Sequence, residues 1–235
     1  MKKLFYIFFL VTICYPEFAK GAQTNPIIDS LKQVLKTAKH DTIKLQLLSR
    51  MIESEYNEEV WPKYNKEMKS IAEKLLATQP KAMVEKIAKK YLAEAFNNIG
   101  FIYDNQGDIS KALENYGKGL KIREEIGDKM GIAVSLNNIG YIFTNQEDNP
   151  KALEYFLKSL KIQEEIEHKK GIALSLNNIG FIYDEQGDTS KALEYYDKSL
   201  KTSEEIEDKS GIAISLGNLG FHYKKHDKLQ KGLEF

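Results

Sequence analysis

The chain has 235 residues, which is enough for one extended domain or for a repeat array with a continuous hydrophobic core. Its 34 basic residues equal its 34 acidic residues, so no overall field attracts nucleic acid or an anionic membrane. The charges are interleaved through the helical stretches, a pattern typical of solvated helix faces.

Residues 1–21 have the pattern of a secretory signal peptide. Lys2 and Lys3 precede an apolar run over residues 4–14, and small residues follow just before Ala22. Because a membrane anchor needs about 20 apolar residues, we expect cleavage before Ala22 and export to the periplasm or the exterior. An uncleaved anchor and a buried first helix are the alternatives.

Cys14, the single cysteine, lies at the end of this apolar run. The sequence Val-Thr-Ile-Cys is similar to a lipoprotein box, but Ile13 stands where a small residue is expected. This difference favours removal of Cys14 with the leader over its lipidation. A cleaved chain has no thiol, so it forms neither a disulfide nor a cysteine-ligated metal site.

Residues 22–80 predict a group of N-terminal helices. Apolar residues at helical spacing predict the first helix from residue 27 to about residue 38. Asp41 and Thr42 are expected to cap a second helix, and Pro62 suits the first turn of a third, which ends near Pro80. We interpret residues 42–78 as a degenerate helical pair that covers the exposed end of an array.

Residues 81–235 contain that array. The segments 91–130, 131–170, 171–210 and 211–235 share a period of 40 residues, and the second and third are identical at 26 of 40 positions. A fixed period of this length indicates units that bury their apolar faces against their neighbours. Each segment predicts a helix (helix A), a turn and a second helix (helix B). The expected fold class is therefore all-α, an α-solenoid of antiparallel helix pairs.

Small residues recur where the two helices of a repeat would cross. They are Gly100, Gly140, Gly180 and Gly220 in helix A, and Ala112, Ala152, Ala192 and Gly232 in helix B. A bulky residue at such a crossing overpacks it, at a cost of about 1–3 kcal/mol. Glycine also occupies the A–B turn at Gly107 and Gly187. Because Glu147 replaces it in the second repeat, we expect that turn to be strained or shaped differently.

This pattern resembles the tetratricopeptide repeat. The resemblance is carried by the small residues above, by the large residues Phe96, Leu136, Leu176 and Leu216, and by the aromatic residues Tyr103, Phe143, Tyr183, Tyr223, Tyr116, Phe156 and Tyr196. The period exceeds the usual 34 or so residues and is similar to the variants found in kinesin light chain, in peptide-sensing bacterial regulators and in exported input regions of bacterial signalling proteins. The resemblance implies a right-handed superhelix whose A helices line a concave groove that binds a protein or peptide segment.

The same resemblance implies a set of groove residues at positions 5, 6 and 9 of helix A, counted from Ala93, Ala133, Ala173 and Ala213. They are Asn97, Asn98, Phe101, Asn137, Asn138, Tyr141, Asn177, Asn178, Phe181, Asn218 and Phe221. Asparagine can bond the backbone of an extended peptide, and the rings offer rigid apolar area. The alternative is a structural role, which we favour for position 6 and leave open for positions 5 and 9.

Charged residues at the end of helix A give the groove an expected polarity. Asp104 and Asp184 at position 12 predict a mildly acidic early groove, and Lys224 and Lys225 predict a basic far end. The family's carboxylate clamp requires basic residues in the early repeats. These are absent, so capture of an acidic C-terminus is not expected.

No catalytic motif is present: the chain has no glycine-rich phosphate loop, no HExxH and no G-x-S-x-G. His222 and His226 have metal-ligand spacing on one helix, but no third ligand is evident, and divergence of the last repeat explains His222 better. We therefore expect no enzyme activity, no metal, no cofactor and no nucleic-acid partner.

Phe235 falls part-way through helix B of the fourth repeat, and the period predicts about 15 further residues. We therefore expect the chain to be part of a longer protein. The main functional expectation is an exported, non-catalytic protein-binding scaffold. The alternative is the N-terminal input region of a membrane-anchored sensor kinase or cyclase, which would contact the membrane only through a downstream segment.

Overall fold

The computed structural model describes the backbone of residues 25–55, 57 and 59–233, with side chains described up to residue 225. The predicted signal peptide and Cys14 lie outside the described residues. The described part contains ten helices and no strand, which confirms the all-α class. They are α1 Pro26–Thr37, α2 Asp41–Ser54, α3 Trp61–Ala77, α4 Ala82–Asn105, α5 Ile109–Ile126, α6 Lys129–Asn145, α7 Asn149–Glu165, α8 Lys169–Glu185, α9 Thr189–Glu205 and α10 Lys209–Leu233. Among these ten, none is both long and apolar enough to cross a bilayer.

The start of α2 differs from the sequence prediction. Asp41 and Thr42 were expected to cap this helix, but its N-cap is His40, which makes no side-chain capping bond. Asp41 is the first helical residue instead, and its carboxylate accepts a hydrogen bond from Lys44 Nζ at 2.8 Å. The carboxylate is therefore engaged one turn along the helix and does not accept a bond from a free backbone N–H.

The N-terminal helices pack against the first helix of the array. Leu48 and Met51 of α2 and Met68 of α3 are fully buried in one cluster with Ala95 of α4. The Asn65 amide of α3 donates to the Ala95 carbonyl at 3.2 Å. The α2–α3 pair thus covers the face of α4 that precedes the first repeat.

Helices α4, α6, α8 and α10 are the A helices of the array, and α5, α7 and α9 are the B helices; each packs against the next along the chain. The helices from α5 to α9 all begin in the same way, because the N-cap side chain accepts a hydrogen bond from the backbone N–H three residues later at 3.0–3.3 Å. The caps are Asp108, Asp128, Asp148, His168 and Asp188. Capping of this kind stabilises a helix by about 1 kcal/mol.

The turn at Glu147 has the same shape as its glycine counterparts, so of the two expected alternatives, strain or a different shape, the structure supports strain. Glu147 has φ of 60°, against 77° at Gly107 and 79° at Gly187. The backbone bonds also correspond: Glu147 N donates to Thr144 O at 3.0 Å and Asp148 N to Phe143 O at 2.9 Å. A non-glycine residue held in this left-handed conformation costs about 1–2 kcal/mol, so the expected strain is present.

The helix-A glycines lie directly beneath an aromatic ring of helix B in the same repeat. A Cβ atom added to Gly140 would lie 2.7 Å from Phe156 Cε1, and one added to Gly100 would lie 2.8 Å from Tyr116 Cδ1. The pair Gly180 and Tyr196 repeats this contact at 2.8 Å. The close approach predicted from the small residues therefore exists, and it is made by a glycine backbone against a buried ring.

The recurring glutamates at the ends of the B helices form surface ion pairs with the A helix of their own repeat. Glu125 lies 3.5 Å from Lys89 and Glu165 lies 3.0 Å from Lys129, and Glu205 pairs with Lys169 in the same way. These pairs agree with the solvated helix faces that the interleaved charges predict. Exposed pairs of this type each contribute at most about 1 kcal/mol.

We expect Gly140→Ala to destabilise the array by about 1–3 kcal/mol, because the new methyl group would overlap the buried ring of Phe156. Gly220→Ala is the matched control, since none of the described residues lies within 4 Å of its added Cβ. This control should stabilise the helix by up to about 1 kcal/mol. Urea unfolding followed by circular dichroism measures both effects, and equal shifts in the two variants would contradict the role of the glycine–ring contact.

Candidate functional site

The aromatic residues of position 9 lie on successive A helices. Phe101, Tyr141 and Phe181 are half-buried, and Phe221 is exposed. Exposed apolar residues lie two helical turns before two of these rings, Val134 before Tyr141 and Leu174 before Phe181, so each pair shares one helix face. We call the surface formed by Phe101, Val134, Tyr141, Leu174 and Phe181 the A-helix face.

Trp61 of α3 extends this aromatic series beyond the repeats. Its ring centroid lies 6.3 Å from that of Phe101, with the two planes tilted by 42°. Sequence reasoning did not include Trp61 because it precedes the array and has no counterpart at the 40-residue period. The only available signal was that the single tryptophan stands beside Pro62 at a helix start.

The asparagines of position 6 connect neighbouring A helices. Asn138 Nδ2 donates to Asn97 Oδ1 of the preceding repeat at 2.8 Å, and Asn218 Nδ2 donates to Asn177 Oδ1 at 3.1 Å. Asn98 makes the corresponding bond to Asn65 of α3 at 2.9 Å. These bonds fix the offset between consecutive A helices, which is the structural role that we favoured for position 6.

The junction between α6 and α8 departs from this pattern. Asn178 makes no hydrogen bond to the residues that the structure describes, and the buried Asn137 Oδ1 that would accept from it has no partner there. Asn137 Nδ2 instead reaches Ser175 Oγ at 3.4 Å. Asn178 lies in a small cleft that it shares with Tyr141, Thr144, Phe156, Asn177, Phe181 and Asn218. The structure therefore brings five of the predicted groove residues together at this junction.

The position-5 asparagines offer little surface to a ligand. Asn137 and Asn177 are both buried, and Asn97 is half-buried with its carbonyl oxygen already accepting from Asn138. Among the predicted groove residues of the first three repeats, the rings of position 9 are half-buried, and the Asn178 amide makes no hydrogen bond to the described residues.

Asp184 does not add negative charge to this surface, so that sequence expectation is wrong. Its side chain is 2% exposed, and its Oδ1 lies 2.7 Å from His222 Nδ1 of the next repeat. Lys225 Nζ lies 3.7 Å from the other carboxylate oxygen and 3.2 Å from Glu185 Oε1. Because Lys225 is engaged with these carboxylates, its charge does not form the expected basic patch at the far end.

The hydrogen bond to Asp184 explains the histidine at position 222. Its ring is buried between Tyr196 and Tyr223, with centroids 6.5 and 5.9 Å away, and it occupies the place of the isoleucines in earlier repeats. The side chain of His226 lies outside the described residues. Within the described residues, no group of three histidine, cysteine, aspartate or glutamate side chains could hold a metal ion.

Asp104 differs from its counterpart Asp184. It is half-buried, and burial raises the pKa of its carboxyl group. Burial is the main cause of the raised pKa values of Tyr116 and Tyr141, and the negative charge of Asp104 raises both further. No basic side chain of the described residues lies within 4.0 Å of Asp104. It is thus a carboxylate close to two tyrosines without a counter-charge.

Glu94, at position 2 of the first repeat, is a second half-buried acid. Burial is the main cause of its raised pKa, although the Ser49 hydroxyl donates to its carboxylate at 2.6 Å. This bond ties α4 to α2, so Glu94 serves the packing of the N-terminal helices. The A-helix face therefore carries rings and aliphatic side chains, with the Asn178 amide and the carboxylate of Asp104 beside it, a combination suited to non-covalent binding.

A model of the tetratricopeptide repeat family matches residues 91–165, 131–205 and 171–235, which together make up more than half of the chain. No curated protein matches the sequence at a significant level.

Several solved structures share the fold. BtubC from P. vanneervenii is similar with a TM-score of 0.65 and 19% identity, over 88% of this chain and 82% of that one. Aspartyl phosphate phosphatase F from Bacillus subtilis is similar with a TM-score of 0.70 and 17% identity, over 86% of this chain and 51% of the phosphatase. A Rap protein in complex with competence and sporulation factor gives a TM-score of 0.64 and 19% identity, over 86% of this chain and 59% of that one. At these identities the likeness shows the fold alone, and the chain spans only about half the length of the last two proteins.

The two asparagine environments predict different effects of mutation. Asn138→Ala should destabilise the array by about 1 kcal/mol, because it removes the bond to Asn97 between two A helices. Asn178→Ala should change stability by less than about 0.5 kcal/mol, since it breaks no bond within the described residues. Thermal unfolding of both variants tests this contrast, and an equal loss in both would show that Asn178 is also structural.

Proposed function

This chain belongs to the tetratricopeptide repeat family, and we propose that it is an exported, non-catalytic scaffold that binds a peptide or an extended protein segment along its A-helix face. The observation that carries this proposal is the series of half-buried rings, Phe101, Tyr141 and Phe181, with the free amide of Asn178 between two of them. The Rap protein of similar fold was solved with competence and sporulation factor bound, which supports a partner of this kind.

The spacing of the rings suits an extended chain. Packed helices lie about 8–10 Å apart, and an extended peptide advances about 3.3 Å per residue. Side chains about three residues apart in the partner would therefore contact rings on successive A helices. The Asn178 amide can donate to and accept from the peptide backbone between two such anchors, whatever the sequence of the partner.

The chemistry of this face supports binding without catalysis. Covalent catalysis requires a nucleophile activated by a base within hydrogen-bond reach. The residues that define the A-helix face carry phenyl, phenol and aliphatic groups, and the phenol of Tyr141 has a raised pKa, mainly because it is buried. A raised pKa keeps a tyrosine protonated at neutral pH and makes it a poor nucleophile or base.

Export rests on the basic start and the short apolar run of residues 1–21. We expect the full-length gene product, expressed in a Gram-negative bacterium, to be found in the periplasm or medium with Ala22 as its first residue. N-terminal sequencing of the fractionated protein measures this. A product that begins at Met1 and stays in the cytoplasmic fraction would contradict export without affecting the proposal for the A-helix face.

A second candidate is the input region of a longer signalling enzyme, for which the exposed apolar side chains of α10 would provide a packing surface. Leu216 is 53% exposed, whereas its counterparts Leu136 and Leu176 are each 7% exposed. Phe221 and Tyr223 on the same helix are exposed as well. A further helix packed on α10 would bury these residues. The downstream gene sequence distinguishes the candidates, since a signalling enzyme would show an apolar run of about 20 residues followed by a catalytic domain.

Replacing Phe101, Tyr141 and Phe181 together with alanine should abolish partner capture, because the main apolar anchors of the A-helix face are removed. Far-ultraviolet circular dichroism should show that helicity is largely retained. The matched control is Leu157→Ala, which removes an exposed apolar side chain from helix B of the second repeat. Capture is measured by pull-down from a pool of synthetic decapeptides, and full capture by the triple variant would discard the A-helix face as the binding surface.

A further inference from the structure

Position 12 of one repeat faces position 10 of the next, and this pairing differs from repeat to repeat. In the third repeat the pair is Asp184 and His222, which are 38 residues apart and joined by a hydrogen bond of 2.7 Å. The same offset pairs Thr144 with Ile182 and Asp104 with Ile142. Since the repeats share one geometry, Asp104 meets a buried isoleucine where Asp184 meets a histidine.

Thr144 and Asp184 have partners within the protein, whereas the Asp104 carboxylate has no hydrogen-bond or ionic partner among the residues that the structure describes. The hydroxyl of Thr144 donates to the Gly140 carbonyl of its own helix at 3.1 Å. Asp184 has both His222 and Lys225 from the next repeat. The residue that corresponds to Lys225 in the second repeat is the neutral Asn145, so both basic positions opposite Asp104 hold uncharged residues.

The surroundings of Asp104 add aromatic groups to the unpaired carboxylate. Phe101 lies one turn earlier on the same helix, so its ring and the carboxylate share one side of α4. Trp61 packs against that ring, and the pKa of the Tyr141 phenol responds to the charge of Asp104. Aromatic faces attract cations, and a partly desolvated carboxylate binds them more strongly than an exposed one does.

We propose that Asp104, with the rings of Phe101 and Tyr141, is a subsite for a cationic group of the bound peptide. The group is an ammonium or guanidinium, carried by a lysine or arginine side chain or by a free N-terminus. The proposal rests on the proposed function, because it names the chemistry of one partner group on the same face. Charge complementarity selects this occupant, since the equivalent carboxylate of the third repeat is paired with a histidine and a lysine of the next repeat.

The free protein provides an independent check of the unpaired carboxylate. Because burial raises the pKa of Asp104 in the folded state, ionisation destabilises the fold as the pH rises from the unfolded-state pKa of about 3.9. Asp104→Asn removes this penalty. The midpoint of thermal unfolding of this variant should therefore exceed that of the wild type, by a margin that increases as the pH is raised from about 3.9 towards neutrality.

Binding is tested with the full chain on an array of random decapeptides, synthesised both with acetylated and with free N-termini. Peptides that contain lysine or arginine should be enriched in the acetylated set if a side chain fills the subsite, and free N-termini should be enriched if the terminal amine fills it. Asp104→Asn should lower the affinity for the selected peptides by about tenfold or more, which is the contribution of a charge-assisted hydrogen bond in a partly buried site.

Two further variants act as controls. Asp197→Asn removes an exposed carboxylate from helix B of the third repeat and should leave binding unchanged, although its effect on net charge is the same. Ile142→His places a histidine opposite Asp104, as His222 lies opposite Asp184. It should therefore lower the affinity for basic peptides, as Asp104→Asn does. Circular dichroism establishes that each variant is folded.

The outcomes separate this proposal from the proposed function. If peptides bind through the position-9 rings without a preference for cationic groups, and Asp104→Asn binds them equally well, the subsite is overturned and the binding face stands. If no peptide binds the wild-type chain, both the binding face and the subsite are contradicted.

Discussion

The contact between a glycine of helix A and an aromatic ring of helix B determines the geometry of each repeat. At Gly100, Gly140 and Gly180 an added Cβ atom would come within 2.7–2.8 Å of the ring, a distance that real side chains essentially never show. The ring is thereby held against the helix backbone, which fixes how far apart the two helices lie. Because the contact recurs at a constant period, successive A helices present their position-9 rings in the same orientation.

Where one repeat meets the next, a glycine near the start of helix A lies against a polar side chain of the preceding helix B, and that side chain differs from repeat to repeat. A Cβ added to Gly131 would lie 2.7 Å from Arg123 Nε, and a Cβ added to Gly171 would likewise overlap the side chain of Gln163. Arg123 Nη1 donates to the Gly131 carbonyl at 2.9 Å, whereas Gln163 Oε1 lies 2.9 Å from His168 Nδ1. Ser203 has a buried hydroxyl without a partner in the described residues. The glycines thus admit a large, a medium or a small side chain, so these positions can vary without changing the fold.

The repeat period allowed the helices, their order and the glycine–ring positions to be predicted, since each depends on residues within one repeat. The errors at Asp184 and Lys225 fall where contacts join different repeats. The burial of Asp184 follows from His222, 38 residues later, and the asparagine bonds join residues 41 apart. Such offsets depend on how repeats stack, which the period alone does not specify. At Glu147, the flanking backbone bonds and the Asp148 cap hold the turn in the glycine shape, so the predicted strain is present and the shape is unchanged.

Folding alone does not account for Asp104. The same position in the second repeat holds Thr144, whose hydroxyl bonds within its own helix, so the array needs no charge there. In the third repeat the charge is accompanied by two basic partners from the next helix. In the first repeat the partners are absent while the carboxylate remains half-buried, which costs stability. An array of this kind tolerates a neutral residue at position 12. A role in binding therefore explains a destabilising carboxylate beside two aromatic rings better than a structural role does.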